Sequence, residues 1–468
     1  MSTDHLAAYR RTIYFICFTA ALGGLLFGLD QGFIGNALAT VHQVYGIDKA
    51  QSQLYASVLS WGGIIGALIS GIIMRQLGRQ KALLIAGWLF VSMAFISAFI
   101  PPFWLLVLCR FGLGIAVGIA IFSVPIYLAE TAPTHIRGRM TTLFQLMVTV
   151  GIFVVSVSNV SLSRYFGYNQ SALTLMFVVI VAFALLMLIG SFTLPESPRW
   201  LLLKGKTDKA KRVLTKTRPP ETDIDQTIQT INQQRDQESK GTHLLRRGFF
   251  WKVLLLGAAI QGFQQLVGIN LMIYYAPTFF GYADITGVIA VLAIPAVNLL
   301  STFPALKWVE RWGRKKLLYF GSIVMGLMLL TAGICFQIIN HFPNQATPFA
   351  HYFLVVSCVV YIFGFACSWG PVAFVLCSEI FPQKGREIGI TVTTIMNLVF
   401  ASVVIGSSLS IMEILGNSAI FYIFAGFCAL SLLFLNRLVP ETKDVPLETI
   451  ENHLISGQKL RHIGQSRN

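Results

Sequence analysis

Arg75-Gln76-Leu77-Gly78-Arg79-Gln80-Lys81, a charged turn between two long apolar runs, returns later in the chain as Glu310-Arg311-Trp312-Gly313-Arg314-Lys315-Lys316. Two further motifs repeat in the same order and at nearly the same offset. Glu130 with Arg137-Gly138-Arg139 is matched by Glu379 with Gly385-Arg386, and Pro195-Glu196-Ser197-Pro198-Arg199 by Pro440-Glu441-Thr442-Lys443. One such match is unremarkable; three in order, each at the edge of an apolar run, indicate a duplicated membrane protein. Two parallel repeats with a transport path between them are the architecture that produces this pattern.

The composition agrees. The 468 residues are 55% hydrophobic and only 12% charged, with a mean hydropathy of +0.69, whereas a soluble chain carries roughly twice that charged fraction. Apolar segments of about 20 residues are long enough to cross a bilayer core of ~30 Å. They are predicted at 13–34, 54–74, 82–100, 104–128, 142–163, 173–194, 252–280, 285–308, 317–340, 350–378, 388–412 and 417–438. The predicted organisation is a six-helix bundle over 10–195, a polar linker over 196–250, a second six-helix bundle over 251–440 and a tail over 441–468. The expected class is an all-α integral membrane protein of twelve transmembrane helices with a helical cytoplasmic linker.

A net charge of +15 raises the question of nucleic acid, and its distribution answers it. With a cytoplasmic N-terminus, Arg10, Arg11, the two Gly-Arg turns, Arg137, Arg139, the segment from Arg199 to Lys252, Lys384, Arg386 and the tail share one side. Only Lys49 and Arg164 fall in loops on the other. That bias sets orientation, with both termini cytoplasmic, and makes the charge topological. The first apolar run is too long for a signal-peptide core and contains Asp30, so Ala37-Leu38-Ala39 is not read as a cleavage site. All seven cysteines fall inside predicted spans, which argues for free thiols packed among helices.

Within the linker, Ala210, Val213 and Leu214 follow a candidate cap at Asp208, and Ile224, Ile228 and Ile231 follow Thr222 and Asp223. The spacing predicts short amphipathic helices. Gly268, Pro277, Pro295, Gly370 and Pro371 are expected to interrupt helices of the second half, where neighbouring helices satisfy freed backbone groups.

Gly23-Gly24-Leu25-Leu26-Phe27-Gly28-Leu29-Asp30, Pro195-Glu196-Ser197-Pro198-Arg199-Trp200, Gln264-Gln265-Leu266-Val267-Gly268-Ile269-Asn270 and Pro440-Glu441-Thr442-Lys443 together carry a resemblance. Over about residues 12 to 445 the chain resembles the sugar porters of the major facilitator superfamily, which include proton-coupled sugar symporters and sugar facilitators. Ionisable residues inside a bilayer are expensive and usually face a cavity or each other. Asp30 and Arg110, counted at ~1.5 Å per residue along the first and fourth spans, both fall in the outer half of the membrane, where they could meet. Burial disfavours a carboxylate and a neighbouring guanidinium favours it, so a site balanced between them can load and release a proton. The resemblance implies that Asp30 carries the proton and that Arg110 is its partner.

Gln264, Gln265 and Asn270 on the seventh span, with Gln145 on the fifth and Asn298 on the eighth, supply the donors and acceptors that a neutral polyhydroxylated ligand needs. The resemblance places them, with Phe374 and Asn397, at the sugar site. Two positions depart from the family's pattern. Its Gly-Pro-x-x-Trp reads Gly370-Pro371-Val372-Ala373-Phe374, and its amide-Trp pair reads Asn397-Leu398, so an indole is lost from each. Arg75 is a third departure, standing where the first Gly-Arg turn usually carries an acid. The resemblance further implies a cytoplasmic gate built from Arg79, Glu130 and Arg137 in one half and Glu310, Arg314, Glu379 and Arg386 in the other.

The predicted function is secondary active transport of a monosaccharide (hexose or pentose) or polyol with a proton by alternating access. A proton-independent uniporter, an organic-ion carrier of the same superfamily and a transporter-like nutrient sensor are the alternatives. Asp30 disfavours the first, the Gln264–Asn270 run the second, and the short stretch after Pro440 the third. No His or Cys cluster has metal-ligand spacing and no nucleotide-binding glycine loop precedes a soluble helix, so neither an enzyme nor a cofactor nor a metal is expected. The expected partners are a small neutral sugar or polyol, the proton and membrane lipid, with no nucleic acid. A monomer in a bacterial inner membrane is the expected setting.

Overall fold

The computed structural model describes residues 3–133, 137–219, 222–238, 248–282, 288–342, 348–382 and 385–443, with a few isolated residues beyond. Regular structure among them is entirely helical. α1 (Thr3–Tyr45), α2 (Lys49–Leu77), α3 (Arg79–Ala98), α4 (Phe103–Thr131), α5 (Arg137–Phe166) and α6 (Gln170–Thr193) come first. The short helices α7 (Pro198–Leu203), α8 (Thr207–Thr217) and α9 (Ile224–Glu238) follow. The remainder is α10 (Gly248–Leu266), α11 (Ile269–Tyr282), α12 (Val288–Trp312), α13 (Arg314–His341), α14 (Pro348–Cys367), α15 (Trp369–Ile380), α16 (Arg386–Leu415) and α17 (Ala419–Arg437). Among the described residues twelve spans, from Tyr9–Gly35 to Ala419–Arg437, are long and apolar enough to cross a membrane, in the expected order. This is an all-α, multi-span membrane protein.

The chain divides into two compact units. One comprises Met1–Phe33, Ala37–Gly46 and Val58–Ser239, the other Ile34–Asn36, Ile47–Ser57 and Lys240–Asn468. In the first, α3 packs on α4 and α6. α2 and α4 approach through Gly62 and Gly114, where a Cβ on either would run into the backbone of the facing helix. Lipid supplies no hydrophobic drive between helices, so this close backbone packing is what joins them.

α7–α9 belong to the first unit and bury their apolar stripes in a cluster of their own. Trp200, Leu201, Leu202, Ala210, Leu214 and Ile228 form it, with Val213, Ile224 and Ile231 packed against them. Asp223 Oδ1 accepts from the amides of Asp225 and Gln226 at 2.9 and 3.0 Å, capping α9 as its position suggests. Asp208 does not cap α8. The N-cap is Lys206, and Asp208 lies inside the first turn, where its charge complements the helix dipole instead.

In the second unit two spans are broken. The first break falls at Gly268, whose φ of +97° is open to glycine and strained for other residues. The Tyr361 hydroxyl donates to the Val267 carbonyl beside it at 2.8 Å. The second falls at Ser368, between α14 and α15. Gly370 and Pro371 sit just after it, in the first turn of α15, where a missing N–H costs nothing because that turn has no intrahelical acceptor. Pro295 lies within α12 without ending it, as does Pro304. Helix α11 runs through position 277, and the Pro277 side chain is outside the described residues. The expectation of breaks holds for Gly268 and for Gly370-Pro371, where the helix opens at Ser368 because Pro371 has no N–H for the Cys367 carbonyl, and fails at 277 and 295, through which α11 and α12 run.

Candidate functional site

Asp30 and Arg110 meet in the interior of the first unit. Arg110 Nη1 donates to Asp30 Oδ1 at 3.1 Å, and Nη2 reaches the Asp30 carbonyl at 3.5 Å. The two side chains are 0% and 1% exposed. The guanidinium also lies over the Phe33 ring, 5.7 Å from its centroid, and Phe33 in turn tilts against Phe177. Asp30 Oδ2 is buried with no hydrogen-bond partner among the described residues. The arginine therefore engages one carboxylate oxygen and leaves the other open to a proton. Protonation there cancels the carboxylate charge and weakens the link between α1 and α4.

Among the described residues the second unit has no such charge at its centre and carries a network of amides. Asn397 on α16 donates from Nδ2 to Gln261 Oε1 at 2.7 Å and to Gln264 Oε1 at 2.5 Å, while its Oδ1 accepts from Gln265 Nε2 at 3.0 Å. Asn270, two residues past the break, donates to Gln265 Oε1 at 2.5 Å. Gln264 uses its own amide protons on the carbonyls of Trp369 and Gly370, both at 3.0 Å, which pins the first turn of α15. Gln264 is thus committed to holding helices together. Gln265 links Asn270 to Asn397, and Asn397 reaches on to Gln261 and Gln264, a network whose donors and acceptors match those of a ligand's hydroxyls.

Three expected positions stand apart from this network. Asn298 is buried on α12, Gln145 is half-buried on α5 in the first unit, and Phe374 on α15 is 42% exposed. Leu398, the other departure, is buried and carries no ring, so of the two positions only Phe374 keeps an aromatic side chain. Gln261 was not anticipated. Its spacing of three and four residues from Gln264 and Gln265 puts all three on one helix face, a signal present in the sequence.

The charged turns form a brace at one end of each unit. In the first, Arg79 Nε and Nη2 grip Glu130 in a fork, both at 2.9 Å, and the Ser197 hydroxyl donates to Glu130 Oε2. Glu196 Oε1 accepts from the amides of Arg79 (2.8 Å), Gln80 (3.1 Å) and Ser197 (2.8 Å), so it sits at the N-terminus of α3, where unsatisfied donors gather. Burial nevertheless pushes the Glu196 carboxyl above its ordinary range, against the pull of those amides. Gly78, with φ +107°, makes the turn. In the second unit Arg314 grips Glu379 at 3.1 and 2.6 Å, and Thr442 donates to Glu379 at 2.6 Å. Glu441 accepts from the amides of Arg314 and Lys315 at 2.9 and 3.0 Å, and Gly313 has φ +86°. The roles of Glu196 and Glu441 were not anticipated, although the repeat of both motifs held the clue. Arg386 begins α16. The side chains of Arg137 and Glu310 lie outside the described residues. Arg75 is exposed, and its carbonyl accepts from Trp200 Nε1 at 3.1 Å. The backbone at this departure thus ties α2 to α7.

Residues 16–454 match the family model "Sugar (and other) transporter". The chain is 39% identical to the galactose-proton symporter of Escherichia coli over 456 residues, 96% of each chain. It is 34% identical to the arabinose-proton symporter of Escherichia coli over 464 residues, 97% of this chain and 96% of that one. Among solved structures, the xylose transporter XylE from E. coli superposes with a TM-score of 0.79 at 29% identity, covering 94% of this chain and 99% of that one.

Proposed function

The chain belongs to the sugar transporter family of the major facilitator superfamily, and on that premise we propose that it moves a monosaccharide (hexose or pentose) or polyol together with a proton by alternating access. The observation that carries this reading is the Asp30 carboxyl, buried against Arg110 with one oxygen left open to a proton. The similar galactose- and arabinose-proton symporters support it by their names.

In this reading Asp30 takes up the proton, and its charge state sets how firmly Arg110 holds α4 to α1. Gln265, Asn270 and Asn397 bind the sugar's hydroxyls as both donors and acceptors, with Gln261 and Gln264 holding them in place. Gln145 and Asn298 are further contacts, and Phe374 supplies an apolar ring face for the sugar to stack against. Arg79–Glu130 and Arg314–Glu379 brace the ends that bear the basic turns. By the positive-inside rule those ends and both termini face the cytoplasm, in a bacterial inner membrane, and the protein acts as a monomer. Arg137, Glu310 and Arg386 complete the cytoplasmic gate.

The test is uptake of radiolabelled galactose, arabinose, xylose, glucose and inositol into proteoliposomes, with and without an inward pH gradient. Accumulation of at least one of them above its outside concentration, only with the gradient, is the expected result. Uptake that never exceeds equilibration under either condition would make the protein a uniporter.

A further inference from the structure

Arg110 touches α1 in ways that respond differently to a proton. The bond from Nη1 to Asp30 Oδ1, at 3.1 Å, draws its strength from the carboxylate charge. The approach of Nη2 to the Asp30 carbonyl at 3.5 Å does not, and neither does the Phe33 ring, whose centroid lies 5.7 Å from the guanidinium carbon. A ring at that distance attracts a cation through its quadrupole, most strongly where water is excluded. Phe33 is 0% exposed.

The ring is fixed in that place by neighbouring helices. Asp30 and Phe33 stand three residues apart on α1 and so share a face, with Arg110 of α4 reaching both. Gly32 between them is turned toward α5, where a Cβ would meet the backbone of Ile152. Asn159 of α5 donates from Nδ2 to the Phe33 carbonyl at 3.4 Å. Phe177 of α6 backs the ring itself, with centroids 4.9 Å apart and the planes tilted by 35°. Neither α5 between Arg139 and Arg164 nor α6 from Gln170 to Thr193 carries a charged residue, so these helices hold Phe33 without bringing a charge of their own.

Once Asp30 is protonated the guanidinium no longer faces a charge at Oδ1, and a buried cation whose counter-charge is gone is driven to move. We infer that Phe33 is a positioning residue for proton release: its ring keeps Arg110 beside Asp30 while the carboxyl is neutral, so that the proton leaves Oδ2 for solvent with the guanidinium already in place to meet the returning charge. The inference rests on the proton-coupled reading above. It separates two steps of transport. Sugar exchange runs with the proton in place and makes no use of this readiness, whereas net uptake requires the proton to leave in every cycle.

The experiment compares two rates in proteoliposomes. One is net uptake of radiolabelled D-galactose and D-xylose driven by an inward pH gradient, and the other is counterflow exchange of the same sugars without a gradient. Phe33→Leu keeps apolar bulk and removes the ring. It is expected to slow net uptake by about tenfold or more, the size of a desolvated cation–π contact, while exchange stays near the wild-type rate. Phe33→Met, whose unbranched side chain adapts to its surroundings, should show the same split and covers the case in which Phe33→Leu fails to fold. Phe33→Tyr, which keeps the ring face, should recover most of the net rate. Net uptake at the wild-type rate in both ringless variants overturns the inference. So does an equal fall in net uptake and exchange, which would mark a packing role, and so does a Phe33→Tyr variant as slow as Phe33→Leu. Wild-type protein that exchanges sugar but shows no gradient-driven accumulation overturns the symport reading instead, and that failure appears in the wild-type arm alone.

Discussion

Arg79–Glu130 in the first unit and Arg314–Glu379 in the second are the same forked ion pair, each with a hydroxyl on the acid and a second glutamate at the next helix's N-terminus. Midway along the spans the likeness ends. The first unit holds Asp30 on Arg110 through a single oxygen, and the second holds a neutral amide network around Asn397. The contrast shows two uses of charge. A two-oxygen grip fixes a charge in place and makes a rigid joint, whereas a one-oxygen grip leaves a carboxylate able to change state. Both units carry the joint, and among the described residues only the first has a buried acid midway along its spans.

The braces differ in a quieter way. Their side chains are 8% and 9% exposed in the first unit but 16% and 20% in the second. The linker accounts for part of this, because Arg218, at the end of α8, donates to the Thr131 carbonyl at 2.7 Å and to the Glu130 carbonyl at 3.4 Å. The second unit is tied differently among the described residues. Lys315 Nζ on the Val439 carbonyl and Lys443 Nζ on the Arg311 carbonyl, at 2.8 and 2.9 Å, tie down its end instead.

The sharpest way to break the comparison is Asp30→Asn. If the one-oxygen pair is the proton site, the variant loses gradient-driven accumulation entirely and keeps sugar exchange, and uphill uptake at the wild-type rate would refute it. Next come the braces. Glu130→Ala strands Arg79 in a buried place and should cost about 3–5 kcal/mol. Glu379→Ala, in the more exposed brace, should cost about half as much because water screens the arginine left behind. Thermal unfolding in detergent reads both, and equal losses would show that the difference in exposure is immaterial.

Smaller effects sharpen the amide side. Gln265→Ala and Asn270→Ala should each weaken sugar binding by about 0.5–1.5 kcal/mol per lost neutral hydrogen bond, and Asn397→Ala by more, since it bonds to all three glutamines. Wild-type affinity in all three variants would move the site elsewhere. Glu196 offers a test by pH. Its carboxyl is raised in the folded state by burial, so its contribution is most favourable below the unfolded value of about 4.3 and is lost as pH rises through the folded one. The stability of Glu196→Gln relative to wild type should therefore rise as pH increases through that window, and a constant difference would contradict it. The slightest effect expected is at Phe374→Trp, which restores a flat donor-bearing ring and should reorder competition among sugars with little change in stability.

How much of this was legible beforehand depends on the kind of feature. Spans, their number and the duplication follow from apolar runs and repeated turns, which are local properties that a bilayer enforces at every position. The pairing of Asp30 with Arg110 was also within reach, because two ionisable groups at one depth in a membrane have few other places to go. The capping roles of Glu196 and Glu441 and the inclusion of Gln261 were harder to see. Each depends on a partner more than a hundred residues away in the chain.

By itself the sequence determined an all-helical, twofold-repeated membrane transporter with a carboxyl in its first span, since hydropathy, charge asymmetry and motif order are written along the chain. Tertiary structure alone decided that the tenth span opens at Ser368 while α12 runs through Pro295, that Gln264 holds the first turn of α15, and that Arg110 engages only one oxygen of Asp30. The physical reason is one of range. A span's apolarity is tested by lipid residue by residue, whereas a hydrogen bond's direction is settled only when helices distant in sequence are packed against one another.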